Sequence, residues 1–149
     1  LLKPKITPKN FIIRIADGKN FWKSDRYSIC GIGDIGAKAI MNSCEKGDRL
    51  WFCTNNSGGQ LVAAATFDRI IPRFRETDKY DMITNEEFGW KNEGWECNYL
   101  IIYKNRYNIE HDKILSGIKG KCTIRLIDNK KNFCPTMINL DEIYKNIIL

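Results

Sequence analysis

The sequence predicts an α+β domain: a curved β-sheet or open β-barrel of about six strands, flanked by a few short helices. Three observations carry this reading. The chain has 149 residues, the size of one ordinary domain. Hydrophobic residues make up 43% and aromatics 11%, enough for one core. The apolar residues fall mainly into short β-branched runs separated by turn residues, and helical periodicity is confined to brief stretches.

Phe11–Ile15 (FIIRI) reads as a strand, ended by the turn ADGKN, and residues 1–10 are an N-terminal extension to a single domain spanning 11–149. Tyr27–Cys30 is a second short strand or the turn into one. Ala37–Cys44 combines helix formers with Ile40 and Met41 able to face a core, and Lys46-Gly47-Asp48 stops it. Arg49–Thr54 and Gln60–Phe67 form a hairpin around Asn55-Asn56-Ser57-Gly58-Gly59, because Asn and Gly supply the positive φ such tips need.

Residues 73–96 are polar, acidic and aperiodic, which reads as a long excursion of the kind that often carries function. Tyr99–Tyr103 is strongly β-prone, Ile109–Ile118 holds a short helix, and Cys122–Ile127 alternates as a half-buried strand. Leu140–Leu149 closes the chain as an amphipathic helix with Asp141 and Glu142 in its first turn.

Composition excludes several classes of function. Mean hydropathy is −0.40, and no apolar run approaches the ~20 residues a bilayer demands, so no membrane partner is expected. Leu1–Asn10 lacks the pattern of a secretion signal. The six cysteines contain no C-x-x-C, and the single histidine, His111, leaves zinc without paired ligands. Cys53, Cys97 and Cys122 lie in apolar runs and behave as small buried hydrophobes, which fits a reducing intracellular setting, cytoplasmic or nuclear. No metal, cofactor or catalytic constellation is expected; the lone histidine has no nucleophile placed beside it by sequence, so the chain does not read as an enzyme.

The formal charge of +6 favours a polyanionic partner, against the plainer alternative of solubilising charge. Residues 1–50 carry 10 basic and 5 acidic groups, residues 51–100 carry 5 and 8, and residues 101–149 carry 9 and 5. A phosphate-facing surface would therefore come from the two ends of the chain. Gly31-Ile-Gly33-Asp-Ile-Gly36 is a literal G-x-G-x-x-G. A dinucleotide site also needs a βαβ unit and an acidic residue ~20 positions on; position 51 is Trp and a hairpin follows, so the glycines read as a tight strand-to-helix turn.

Two of the four tryptophans, Trp90 and Trp95, lie in the glycine-flanked loop FGWKNEGWEC. Aromatics in a polar excursion either sandwich a flat ligand, such as a nucleobase or methylated cation, or tuck under the loop as local anchors.

These residues resemble the YTH domain, a reader of N6-methyladenosine in RNA within the PUA-like group. Phe11–Cys30 (FIIRIADGKNFWKSDRYSIC) is similar without gaps to the YTH opening, FIIKS, a turn, then K/R-S-x-K-Y-x-I-W. Leu50–Thr66 (LWFCTNNSGGQLVAAAT) resembles its hairpin, and Trp90 and Trp95 reproduce a W-x4-W spacing ahead of a strand. The similarity covers roughly residues 11–105.

The resemblance implies a methylated adenine flipped into an aromatic cage on single-stranded RNA, bound by a monomer. Asn20 would meet the ring N1, the Gly31 carbonyl would accept the N6 proton, and Trp90 and Trp95 would be cage walls. Ser24 and Tyr27 fall at framework positions; Arg14, Lys23 and Arg26 would contact phosphates. The family's first cage tryptophan falls at Cys30, so either Trp22 or Trp51 swings in or the pocket reads something else. Ile15 and Ala16 also replace a polar and an aromatic residue of the family's site. GDRLWF is equally similar to EVE domains, which are associated with modified DNA bases. The alternatives are thus an EVE-like reader of DNA, or a protein-interaction domain of the same fold that has lost base recognition.

Overall fold

β1 (Asn10–Arg14) and β3 (Arg49–Thr54) lie side by side and parallel, Ile12 opposite Trp51. In this computed structural model, which describes residues 8–55, 59–73, 83–90, 97–109, 124–127 and 140–148, they are neighbouring inner strands of one mixed sheet. Its strand order is β2-β5-β4-β3-β1-β6, with β2 at Ile29–Ile32, β4 at Gln60–Pro72, β5 at Tyr99–Asn108 and β6 at Ile124–Ile127. Every other pairing is antiparallel.

A parallel pair needs a long crossover. Here the chain leaves β1, forms α1 (Lys19–Ser24) and a 3₁₀ turn (Asp25–Tyr27), places β2 on the far edge of the sheet, and returns through α2 (Asp34–Ser43) to β3. This detour sets α1 beside β2.

Alternation along the strands fills two cores. Phe11 and Ile13 of β1 and Leu50 and Phe52 of β3 point to one face, where Phe21 of α1 and Ala37 and Ile40 of α2 cover them. Ile12, Trp51 and Cys53 point to the other, under Leu140, Ile143 and Tyr144 of α4 (Leu140–Ile148). Burial on both faces explains why β1 and β3 read as continuous apolar runs. Trp51 Nε1 donates to Asn10 Oδ1 at 2.9 Å, so the buried indole N–H is satisfied. A third cluster, Ile29, Phe88, Trp90, Cys97, Leu100 and Ile102, sits at the β2–β5 end of the sheet.

The strands arise where the β-prone runs predict them, with differences that have local causes. β4 continues past Phe67 to Pro72, because register shifts at Ala64/Thr66 and Phe67/Arg69 bend it against β5; bulges of this kind keep a strand paired while breaking the alternation that sequence reading relies on. β5 likewise runs to Asn108. α2 starts at Asp34, three residues before the expected Ala37, with Gly33 at its N-cap in extended conformation. α1 was not expected. The acidic excursion contains α3 (Asn85–Phe88), started by a capping box in which Thr84 Oγ1 accepts from the Glu87 N–H at 3.1 Å.

Within the expected N-terminal extension, the Lys9 N–H donates to buried Asp48 Oδ1 at 2.9 Å. The hairpin tip at residues 56–58, the helix expected over Ile109–Ile118 after its first residue, Cys122, His111 and Trp95 lie outside the described residues. Gly31 sits in β2 and Gly33 caps α2, but β2 pairs with β5 and not with β3, so no βαβ unit surrounds the G-x-G-x-x-G.

Candidate functional site

α1 is only six residues long, too short to persist by propensity. It is held by its buried side: Phe21 enters the first core, and the Ser24 hydroxyl donates to the Ile29 carbonyl of β2 at 2.7 Å. Gly18, at φ 87°, makes the left-handed turn into it. Asn20, Trp22 and Lys23 are thereby left on the outside.

Trp90 comes to this helix from the far side of the sequence. Its Nε1–H donates to the Asn20 backbone oxygen at 2.9 Å. Its ring stacks on Phe88, centroids 4.5 Å apart at 28°, and the buried Arg73 guanidinium lies 5.7 Å from its centroid. Of the two arrangements open to an aromatic in this excursion, Trp90 adopts the anchored one, with 3% of its surface exposed. Gly89, at φ 84°, turns the chain out of α3 where a Cβ would stand 3.4 Å from the Lys23 side chain, so Lys23 lies along the same loop.

Gly31 is half-buried in β2 opposite Leu100. Strand alternation puts it on the same side as Ile29, the side of the Trp90 cluster. Asn20, Gly31 and Trp90 therefore share one neighbourhood. Cys30 does not join them. Only 4% exposed, it belongs to the first core with Phe21 and Tyr103, and burial pushes its thiol well above its ordinary pKa, with Cys97 and Asp25 adding to the effect. A neutral thiol in that core cannot stand in for an indole face.

Trp51 does not replace the missing wall either, being fully buried under α4. Trp22 stays on the surface, 42% exposed. It packs edge-on against Phe21 at 4.9 Å, with the Arg106 guanidinium 5.0 Å from its centroid. Arg106 Nε pairs with Asp25 Oδ2 at 2.8 Å, and Asp25 Oδ1 accepts the Tyr103 hydroxyl at 2.5 Å. Burial, then the Asp25 hydrogen bond, push the Tyr103 phenol far above its usual pKa. Nothing local in the sequence marks Asp25, Tyr103 or Arg106, because β5 and the 3₁₀ turn meet only in the folded sheet.

The expected phosphate contacts divide. Lys23 is exposed and Arg26 is tied to the Glu87 backbone oxygen, with its guanidinium 4.8 Å from the Tyr27 centroid. Arg14 is half-buried, its Nη2 donating to Asn55 Oδ1 at 2.9 Å. Cys30 and Cys97 are buried free thiols, and among the described residues no cluster of metal-ligating side chains occurs.

No family model matches the chain, and no curated protein does. Solved structures do. The ASCH protein of Zymomonas mobilis superposes with a TM-score of 0.55 at 9% identity, over 82% of this chain and 90% of that one. The Pho92 YTH domain in complex with m6A gives 0.46 at 15% identity, over 74% and 66%. The YTH domain of Zygosaccharomyces rouxii MRB1 in complex with N6-methyladenosine RNA gives 0.43 at 13%, over 87% and 67%. The likeness to the ASCH structure identifies the fold of this chain as PUA-like.

Proposed function

We propose that this chain is a non-enzymatic nucleic-acid-binding module that takes one unpaired base of single-stranded RNA, N6-methyladenosine in the first instance, beside Asn20, Gly31 and Trp90. The observation that carries the reading is the 2.9 Å bond between Trp90 Nε1 and the Asn20 oxygen. It joins, across 70 positions, a residue that resembles a base-edge partner and one that resembles a cage wall. The exposed Asn20 amide is then set to meet a base edge, and Lys23 stands beside it for a phosphate.

Trp90 offers little open surface in this state. A base reaches its indole by displacing what covers it, so binding is coupled to a local rearrangement and association is slow.

The test is fluorescence polarisation with short RNA and DNA oligonucleotides carrying adenosine or N6-methyladenosine. Methylated RNA is expected to bind about tenfold tighter or more, and Trp90→Phe, which takes the indole face from beside the methyl group, to erase most of that margin. Equal affinity for both RNAs rejects the methyl-reading claim. A second reading, a protein-interaction domain of the same fold, is favoured by the burial of Cys30 and Trp90; it predicts no saturable binding of any oligonucleotide. Preference for methylated DNA over RNA would support the EVE-like alternative.

A further inference from the structure

We infer that Trp22, held from behind by Arg106, is a stacking platform for a nucleotide flanking the recognised base, and that it acts regardless of methylation. This rests on the nucleic-acid reading above. Among the described residues, the exposed large hydrophobic side chains are Trp22, Ile35 and Met41, and Trp22 is the aromatic one.

The indole is fixed before any ligand arrives. Tyr103, buried between Phe21 and Phe52, donates to Asp25; Asp25 pairs with Arg106; Arg106 also donates to Asn108 Oδ1 and lies over the Trp22 ring. This relay runs from core to surface and ends on an aromatic face. A ring already held by a cation and by the Phe21 edge loses little freedom when a base stacks on it.

The surroundings fit a polyanion. Lys19 and Lys23 lie three residues before and one after Trp22 on α1, both exposed, and Lys104 is exposed two residues before Arg106 on β5. Asn20 and Trp22 project from different sides of the helix, with Lys19 and Lys23 between them. A strand whose recognised base sits at Asn20 would cross these lysines and bring a neighbouring base to Trp22. Base-on-aromatic stacking is indifferent to sequence and to a methyl on another nucleotide.

The experiment compares wild type, Trp22→Ala and Trp22→Phe with methylated and unmethylated single-stranded RNA, with folding checked by thermal melting. Trp22→Ala is expected to weaken both RNAs by a similar factor, about tenfold, while Trp22→Phe retains most of the affinity. Trp90→Phe should narrow the gap between the two RNAs instead. If Trp22→Ala lowers the melting temperature but binds both RNAs as wild type does, Trp22 merely covers the Asp25–Arg106 pair and the inference is overturned, with the base-reading proposal intact. Loss confined to methylated RNA overturns it too, by placing Trp22 in the methyl pocket. Failure of the wild type to bind either RNA removes the base-reading proposal and the platform together; saturable capture of an acidic peptide in its place would assign the surface to a protein.

Discussion

The Ser24 hydroxyl, fully buried at the end of α1, donates to the Ile29 carbonyl of β2 at 2.7 Å. This contact ties a six-residue helix to the edge of the sheet, and that helix presents Asn20, Trp22 and Lys23.

Replacing Ser24 should therefore harm the site as well as stability. Ser24→Ala is expected to cost about 1–3 kcal/mol, the usual consequence of leaving a buried acceptor without its donor. Chemical denaturation measures this, and hydrogen exchange should show faster exchange of the α1 amides than of β3.

Gly89 is the second structural hinge of the site. Gly89→Ala should destabilise by about 1–2 kcal/mol, since the residue sits at φ 84°, a conformation strained for any residue with a Cβ, while the added Cβ itself would meet Lys23 at ordinary contact distance. A melting curve checks this; unchanged stability would mean that the turn into Trp90 relaxes without strain.

Stability should fall on the alkaline side. Burial raises the pKa values of Cys30, Cys97 and Tyr103 above ordinary values of 9.0 for the thiols and 10.0 for the phenol. Below pH ~9 each group is neutral folded or unfolded, and its contribution is intact. Above about pH 9 for the thiols and about pH 10 for the phenol, the unfolded chain releases protons that the folded one keeps, so stability drops by up to about 1.4 kcal/mol per pH unit for each such group. Urea titrations across this range should show the slope, and Cys30→Ala should reduce it by about one proton.

Ionic strength separates phosphate contacts from stacking. Log affinity for RNA should fall linearly with log salt, and Lys23→Ala should lower the slope by about 0.7, the share of one single-strand phosphate. An unchanged slope would show that Lys23 touches no phosphate.

Much of the sheet is legible in the sequence. RLWFCT reads as β3 because its aromatic and aliphatic residues are bracketed by Gly47-Asp48 and Asn55, and the structure gives Arg49–Thr54 unchanged. α1 is not legible, since KNFWKS is too short to show a helical period and is held instead by Ser24 and Phe21. The end of β4 escapes because bulges scramble its alternation. The polar loop around it marks Trp90 and the family resemblance marks Asn20; the two meet, but through a backbone oxygen and with Trp90 buried. The Asp25–Arg106 pair over Trp22 was out of reach, because nothing local marks an arginine in one β-strand as the partner of an aspartate in a distant turn.

The parallel seam between β1 and β3 has a consequence for biosynthesis. Asn10–Arg14 is translated more than 100 residues ahead of its other neighbour in the sheet, Ile124–Ile127. Until then the nascent chain carries an apolar strand with one flank open, and that interval is when it is most exposed to mispairing with other polypeptides.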